Sequence, residues 1–182
     1  MENSAEILPV IYLGVLLAIL GAIAYFLLTQ IWRTRRVEST FSKLQQKLKE
    51  GKGTPQEYYE LGSLYLDKKL YVQSINLFQK AIKGSQIESE NLALIYNAMG
   101  YAYFAQEQYD IAIRNYKDAI KLYPEYTIAL NNLGNAYEKK QLTAQALATY
   151  EQTLQYDPEN KIAKRRVESL RKRVVTSTNF TK

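Results

Sequence analysis

The chain has 182 residues, carries a formal net charge of +6 and is 47% hydrophobic, with sixteen Tyr against five Phe and one Trp. It contains neither Cys nor His, which excludes disulfides, thiol nucleophiles, cysteine-held iron–sulfur clusters and Cys/His structural zinc. The charge is uneven, −2 over residues 1–32, +5 over 33–54, −3 over 55–158 and +6 over 159–182, so a mildly acidic middle lies between basic ends and a nucleic-acid reading starts weak.

Residues 7–32, "ILPVIYLGVLLAILGAIAYFLLTQIW", hold no charged side chain over 26 positions, and a bilayer span needs about 20. The acidic start and long apolar core differ from a cleaved signal peptide, so residues 7–32 are expected to be an uncleaved transmembrane helix after a short tail, 1–6. Arg33, Arg35 and Arg36 follow the span, whereas Glu2 and Glu6 precede it. The positive-inside rule then keeps the C-terminal body on the cytoplasm-like side. Gly14 and Gly21 fit ordinary membrane-helix glycine or close packing on a partner helix.

Residues 33–54 form a basic connector. In "VESTFSKLQQKLKE" (37–50), Val37, Phe41, Leu44 and Leu48 fall at helical spacing among Lys43, Lys47 and Lys49, which predicts a short amphipathic helix closed by Gly51. Its apolar face would rest on an anionic leaflet or on the next domain, or the helix would stand as a solvated stalk.

From residue 55 one pattern recurs three times, in "ELGSLYLDKKLYVQSINLFQKAI" (60–82), "AMGYAYFAQEQYDIAIRNYKDAI" (98–120) and "NLGNAYEKKQLTAQALATYEQTL" (132–154). Gly62, Gly100 and Gly134 set the phase. Tyr65, Tyr103 and Tyr137 follow at +3; Ser74, Ala112 and Ala146 at +12; Phe78, Tyr116 and Tyr150 at +16; Ala81, Ala119 and Thr153 at +19. Pro124 and Pro158 close the second and third copies, where the first has Gln86 and four further residues around "IESE" (87–90). This resembles the tetratricopeptide repeat, an antiparallel helix pair with a period of 34. The resemblance implies an all-α fold: an N-terminal transmembrane helix, a three-repeat α-solenoid over 55–88, 93–126 and 127–158, and a C-terminal capping helix over 159–174. A flexible tail, 175–182, would follow.

Local signals agree. "TPQE" (54–57) offers a capping box with Pro at the first helical position, and "DPEN" (157–160) is expected to start the last helix. Ile162, Ala163, Val167 and Leu170 form a narrow apolar stripe on that helix. Its Lys164, Arg165, Arg166, Arg171, Lys172 and Arg173 suit either a lipid or nucleic-acid contact or a solubilising end face. Glu88, Glu90, Glu107 and Asp110 are read as loop and turn residues, and "GKG" (51–53) lacks P-loop spacing. The expectation is a non-enzyme without cofactor, metal or small-molecule substrate.

In the tetratricopeptide family the first helix of each pair lines a concave face. Carried onto this sequence, the inward positions are Tyr59, Ser63 and Leu66, then Asn97, Tyr101 and Phe104, then Asn131, Asn135 and Glu138. They form the expected protein-binding groove. Tyr103 is expected to be buried and Tyr109 to pack the inter-helix turn. The clamp by which some members hold a C-terminal carboxylate would need cations at positions occupied here by Tyr59, Ser63, Ala98, Ile128 and Asn132, so that mode is not expected.

The longer wording is more specific. A single N-terminal span, "RTRRVEST", "QEYYELGSLYLDKK", "ALIYNAMGYAYFAQEQYD", "ALNNLGNAYEKK" and "AKRRVESLRKR" together resemble the photosystem I assembly proteins of cyanobacteria and algal plastids. That resemblance implies a single-pass thylakoid protein with repeats on the stromal or cytoplasmic side. Its partners would be photosystem I subunits or assembly intermediates, with no nucleic acid. The alternative is a membrane-anchored adaptor for another bacterial membrane or envelope complex.

Overall fold

A computed structural model describes the backbone of residues 3–51, 53–84 and 87–179. The regular elements among them are all α-helices: α1 (Asn3–Lys49), α2 (Pro55–Asp67), α3 (Tyr71–Ile82), α4 (Ser89–Ala105), α5 (Tyr109–Leu122), α6 (Thr127–Lys139), α7 (Thr143–Tyr156) and α8 (Lys161–Asn179). The chain divides into two units, Met1–Lys49 and Glu50–Lys182.

The first unit is one helix of 47 residues. Its Ile11–Lys49 stretch is long and apolar enough to cross a membrane, with an 18-residue window of mean hydropathy 2.5. The connector is the continuation of this helix and not a separate short one. The junction Arg33–Thr34–Arg35–Arg36 contains no helix breaker, and the hydroxyls of Thr29 and Thr34 donate to the carbonyls of Phe26 and Gln30 at 2.7 and 2.9 Å. Gly51, at φ +75°, follows the helix end where expected. The helix already includes Asn3, so residues 3–6 of the expected tail are helical, and Met1 and Glu2 lie outside the described residues.

The second unit stacks three helix pairs, α2–α3, α4–α5 and α6–α7, with α8 packed on α7. Helix α2 starts at the expected capping box: Thr54 Oγ1 accepts from the Glu57 amide at 3.2 Å, and Glu57 Oε2 accepts from the Thr54 amide at 3.0 Å. Each pair is locked by a glycine against an aromatic ring. A Cβ on Gly62, Gly100 or Gly134 would lie 2.6, 2.6 or 2.7 Å from Phe78, Tyr116 or Tyr150 respectively, and those three rings are fully buried. The variant small residues keep their polar groups satisfied: Ser74 Oγ donates to the Gly62 carbonyl at 2.8 Å and Thr153 Oγ1 to the Thr149 carbonyl at 3.1 Å.

The turns inside the pairs repeat as well. The amides of Leu70, Gln108 and Leu142 bond back to the carbonyls of Tyr65, Tyr103 and Tyr137 at 2.9, 3.0 and 2.9 Å. This Schellman closure puts Lys69, Glu107 and Gln141 at φ of 60, 60 and 59°, the left-handed region usually given to glycine. The three repeat tyrosines are not equivalent in burial. Tyr137 is buried, whereas Tyr65 and Tyr103 are half-buried, so the expectation of a buried Tyr103 is corrected: it packs on the edges of two core clusters.

Four further expectations change. The four additional residues of the first repeat do not make a loose exit loop: α4 has 17 residues against 13 in α2 and α6, so they add about one helical turn. Glu88 is the residue before that helix and Glu90 lies in its first turn. "DPEN" precedes α8 without starting it. Asp157 closes a turn, its carboxylate accepting from the Glu159 amide and the Asn160 side-chain amide at 3.2 and 2.9 Å, and Asn160 Oδ1 caps the helix through the Ala163 amide at 3.0 Å. Helix α8 then continues through Asn179, past the expected boundary at 174, and residues 180–182 of the expected tail lie outside the described residues. Ala163, Val167 and Leu170 are buried on α8, but Ile162 is 52% exposed and leaves the expected stripe.

Two substitutions test these contacts in the detergent-solubilised full chain. Gly100→Ala should destabilise by about 1–3 kcal/mol, because its Cβ meets a buried ring. Glu107→Gly should stabilise by about 1 kcal/mol through relief of the left-handed backbone. Denaturant midpoints measure both.

Candidate protein-binding face

Helices α2, α4 and α6 contact one another in sequence, besides pairing with α3, α5 and α7, so the first helices of the pairs form one continuous side of the solenoid. Residues at i, i+3, i+7 and i+10 share a helix face. On α4 these are Leu94, Asn97, Tyr101 and Phe104; on α6 they are Ile128, Asn131, Asn135 and Glu138; α2 contributes Tyr59, Ser63 and Leu66.

The nine expected groove residues divide by what they already touch. Tyr59 is half-buried, with its ring 5.8 Å from that of Phe78. Ser63 Oγ donates to its own helix at the Tyr59 carbonyl, 2.9 Å away, and Leu66 packs on the core of the first repeats. Phe104 is half-buried and meets Tyr109 edge-on at 5.3 Å. Tyr101 is 48% exposed. Asn135 is half-buried, and its side chain makes no hydrogen bond among the described residues.

Asn97, Asn131 and Glu138 are tied across the repeats. Asn97 Nδ2 donates to Tyr126 Oη at 3.3 Å, and its Oδ1 accepts from Asn132 Nδ2 at 2.9 Å. Asn131 Nδ2 donates to Asn160 Oδ1 at 3.2 Å. Both asparagines thus reach 29 residues forward, into the turn before the next first helix. Glu138 Oε1 accepts from Tyr150 Oη at 2.9 Å and lies 3.4 Å from Arg166 Nε, joining α6 to α7 and α8. Asn97 thus joins the second repeat to the third, while Asn131 and Glu138 join the third repeat to the capping end.

The face has an apolar row absent from the expected set. Leu94, Ile128 and Ile162 stand 34 residues apart, in the second turn of α4 and in the first turns of α6 and α8. Ile128 and Ile162 are 57% and 52% exposed, and Leu94 is half-buried. The 34-residue recurrence of a large aliphatic is the sequence signal that would have found it. The basic end is largely paired: Lys164 with Glu159 at 2.9 Å, Arg166 with Glu138, and Arg171 with Glu151 at 2.7 Å. That favours the solubilising reading of the end face. Arg33, Arg35 and Arg36 are exposed on α1. No group of metal-binding side chains occurs among the described residues.

Burial raises the pKa of three tyrosines above the ordinary 10.0. Burial dominates at each; the neighbouring Tyr101 adds to it at Tyr116 and the Glu138 carboxylate at Tyr150. For Tyr126, burial and then Tyr59 push upward, while the Asn97 hydrogen bond opposes them.

Comparison with known proteins follows from this geometry. Two tetratricopeptide-repeat family models match residues 57–125 and 97–161. The ycf37 protein of Cyanophora paradoxa is 37% identical over 146 residues, 80% of this chain and 85% of its own length. The chain belongs to the ycf37 family of tetratricopeptide-repeat proteins. PYG7, a chloroplastic tetratricopeptide-repeat protein of Arabidopsis thaliana, is 36% identical over 163 residues, 90% of this chain but 54% of its own length. Among solved structures, MamA aligns with a TM-score of 0.68 at 23% identity, over 76% of this chain and 79% of that one. The first repeat domain of Spaghetti (RPAP3), bound to the HSP90 peptide SRMEEVD, aligns with a TM-score of 0.61 at 21% identity, over 67% of this chain and 94% of that one. These likenesses show the fold. As a ycf37-family member with this solenoid, the chain is a scaffold for protein–protein interaction.

The buried tyrosines predict alkaline sensitivity. Above pH 10 the unfolded chain loses phenolic protons that the folded chain still holds, so stability falls as pH rises. Denaturant midpoints between pH 8 and 11.5 should decline beyond 10, and Tyr116→Phe should flatten that decline.

Proposed function

We propose that the chain is a thylakoid-membrane scaffold that assists assembly or stabilisation of photosystem I. In this reading α1 is the single-pass anchor, the repeats lie on the stromal or cytoplasmic side, and the face bearing Tyr101, Asn135 and the Leu94–Ile128–Ile162 row receives segments of photosystem I subunits or assembly intermediates. The observation that carries the reading is the family likeness to a chloroplastic repeat protein across 90% of the chain, on a chain whose repeats follow an apolar helix and three arginines.

Each part has a physical reason. Arginines after the span favour retention of the body on the cytoplasm-like side. A helix running about 17 residues beyond Trp32 makes a stalk of about 25 Å. Tethering raises the effective concentration of the repeats toward clients inserted in the same membrane. The apolar row and Tyr101 offer contact area that the stacking of the repeats does not consume.

Tagged wild-type protein isolated in mild detergent from thylakoids should bring down photosystem I subunits, and removal of the gene should lower photosystem I accumulation. Tyr101→Ala combined with Ile128→Ser should reduce recovery at least fivefold with an unchanged melting profile. Normal photosystem I levels without the gene, under every light regime, would sink the proposal.

A further inference from the structure

The additional turn of α4 builds a cleft of about 430 Å³ beside the first turn of α2, within the size range of small ligand pockets. Pro55, Tyr59, Ile87 and Leu94 give it apolar walls; Glu88 and Asn91 give it a polar rim. Glu88 is the residue before α4, yet its side chain makes no capping bond to that helix. Its carboxylate instead accepts from Asn91 Nδ2 at 3.2 Å, and it forms no ion pair among the described residues. The next junction differs: α5 passes to α6 through a turn, residues 123–126, in which the rings of Tyr123 and Tyr126 stack at 5.7 Å. Among the described residues, α4 carries the added turn and α2 and α6 do not.

We propose that this cleft takes one lysine or arginine side chain of the client segment. The methylene stem of such a residue lies along apolar walls while its head stays near water. The Tyr59 ring attracts a cation over its face, and the Glu88 carboxylate supplies the opposite charge. Leu94 belongs both to the cleft and to the apolar row, so the same segment continues from its basic residue onto Ile128. The occupant is therefore a peptide stretch with a basic residue beside apolar ones. This gives the proposed client-binding face a specificity determinant and rests on that reading.

The probe is a set of blocked ten-residue peptide pools, randomised except for one central position fixed as Arg, Lys, Gln or Glu. They are titrated against the detergent-solubilised full chain by fluorescence anisotropy. The Arg and Lys pools should bind about fivefold tighter than the Glu pool, a size suited to a pair at a partly open site, and the gap should shrink at high salt. Glu88→Lys should reverse the order and Glu88→Gln should level it, with helix content unchanged. Pools that bind equally or not at all, or a preference that survives Glu88→Lys, would overturn the pocket. Loss of photosystem I co-isolation with the basic preference intact would instead refute the identity of the client and leave the pocket standing.

Discussion

The solenoid depends on the contact of a glycine backbone with an aromatic ring inside each helix pair. Gly62 with Phe78, Gly100 with Tyr116 and Gly134 with Tyr150 are the same contact made three times at nearly the same distance. The absent Cβ lets the ring sit directly against the backbone of the first helix, where each ring is fully buried. A single pair has too little apolar surface to stand alone, so this close approach also sets the surface against which the next pair stacks.

Stacking in turn explains why part of the candidate face is structural. Once neighbouring pairs are in register, the side chain of Asn97 meets Tyr126 and Asn132, and that of Asn131 meets Asn160. Asn97 thereby satisfies both ends of its amide, whereas Asn131 satisfies its Nδ2 and leaves its buried Oδ1 without a partner among the described residues. Glu138 is held likewise by Tyr150 and Arg166. Tyr101, Ile128 and Ile162 stay exposed on this face, and the Asn135 side chain takes no part in these contacts. Side chains that hold the stack and side chains that do not thus alternate along a single helix face.

The repeat phase, the capping box and the apolar N-terminal helix were legible in the sequence because each is a local or strictly periodic signal. What was hidden needed three dimensions. The partners of Asn97 and Asn131 sit 29 residues away in turns whose position follows from the superhelix. The four added residues of the first repeat looked like a loop, but four residues are close to one helical turn and lengthen α4 without changing its phase. Ile162 fits the spacing of a buried stripe, yet Ala163, Val167 and Leu170 take the buried side of α8 and leave it exposed at the edge. Local spacing also could not show that α1 and the connector are one helix.

The central claim is that clients meet the face built by α2, α4 and α6. It is tested most directly by a photo-crosslinking side chain placed at Tyr101 in the tethered protein within intact thylakoids, compared with one at Arg114 on α5, which is exposed but lies on the second helix of its pair. The account predicts crosslinks to photosystem I subunits from position 101 and few from 114. Equal crosslinking from both positions, or crosslinking from 114 alone, would contradict it.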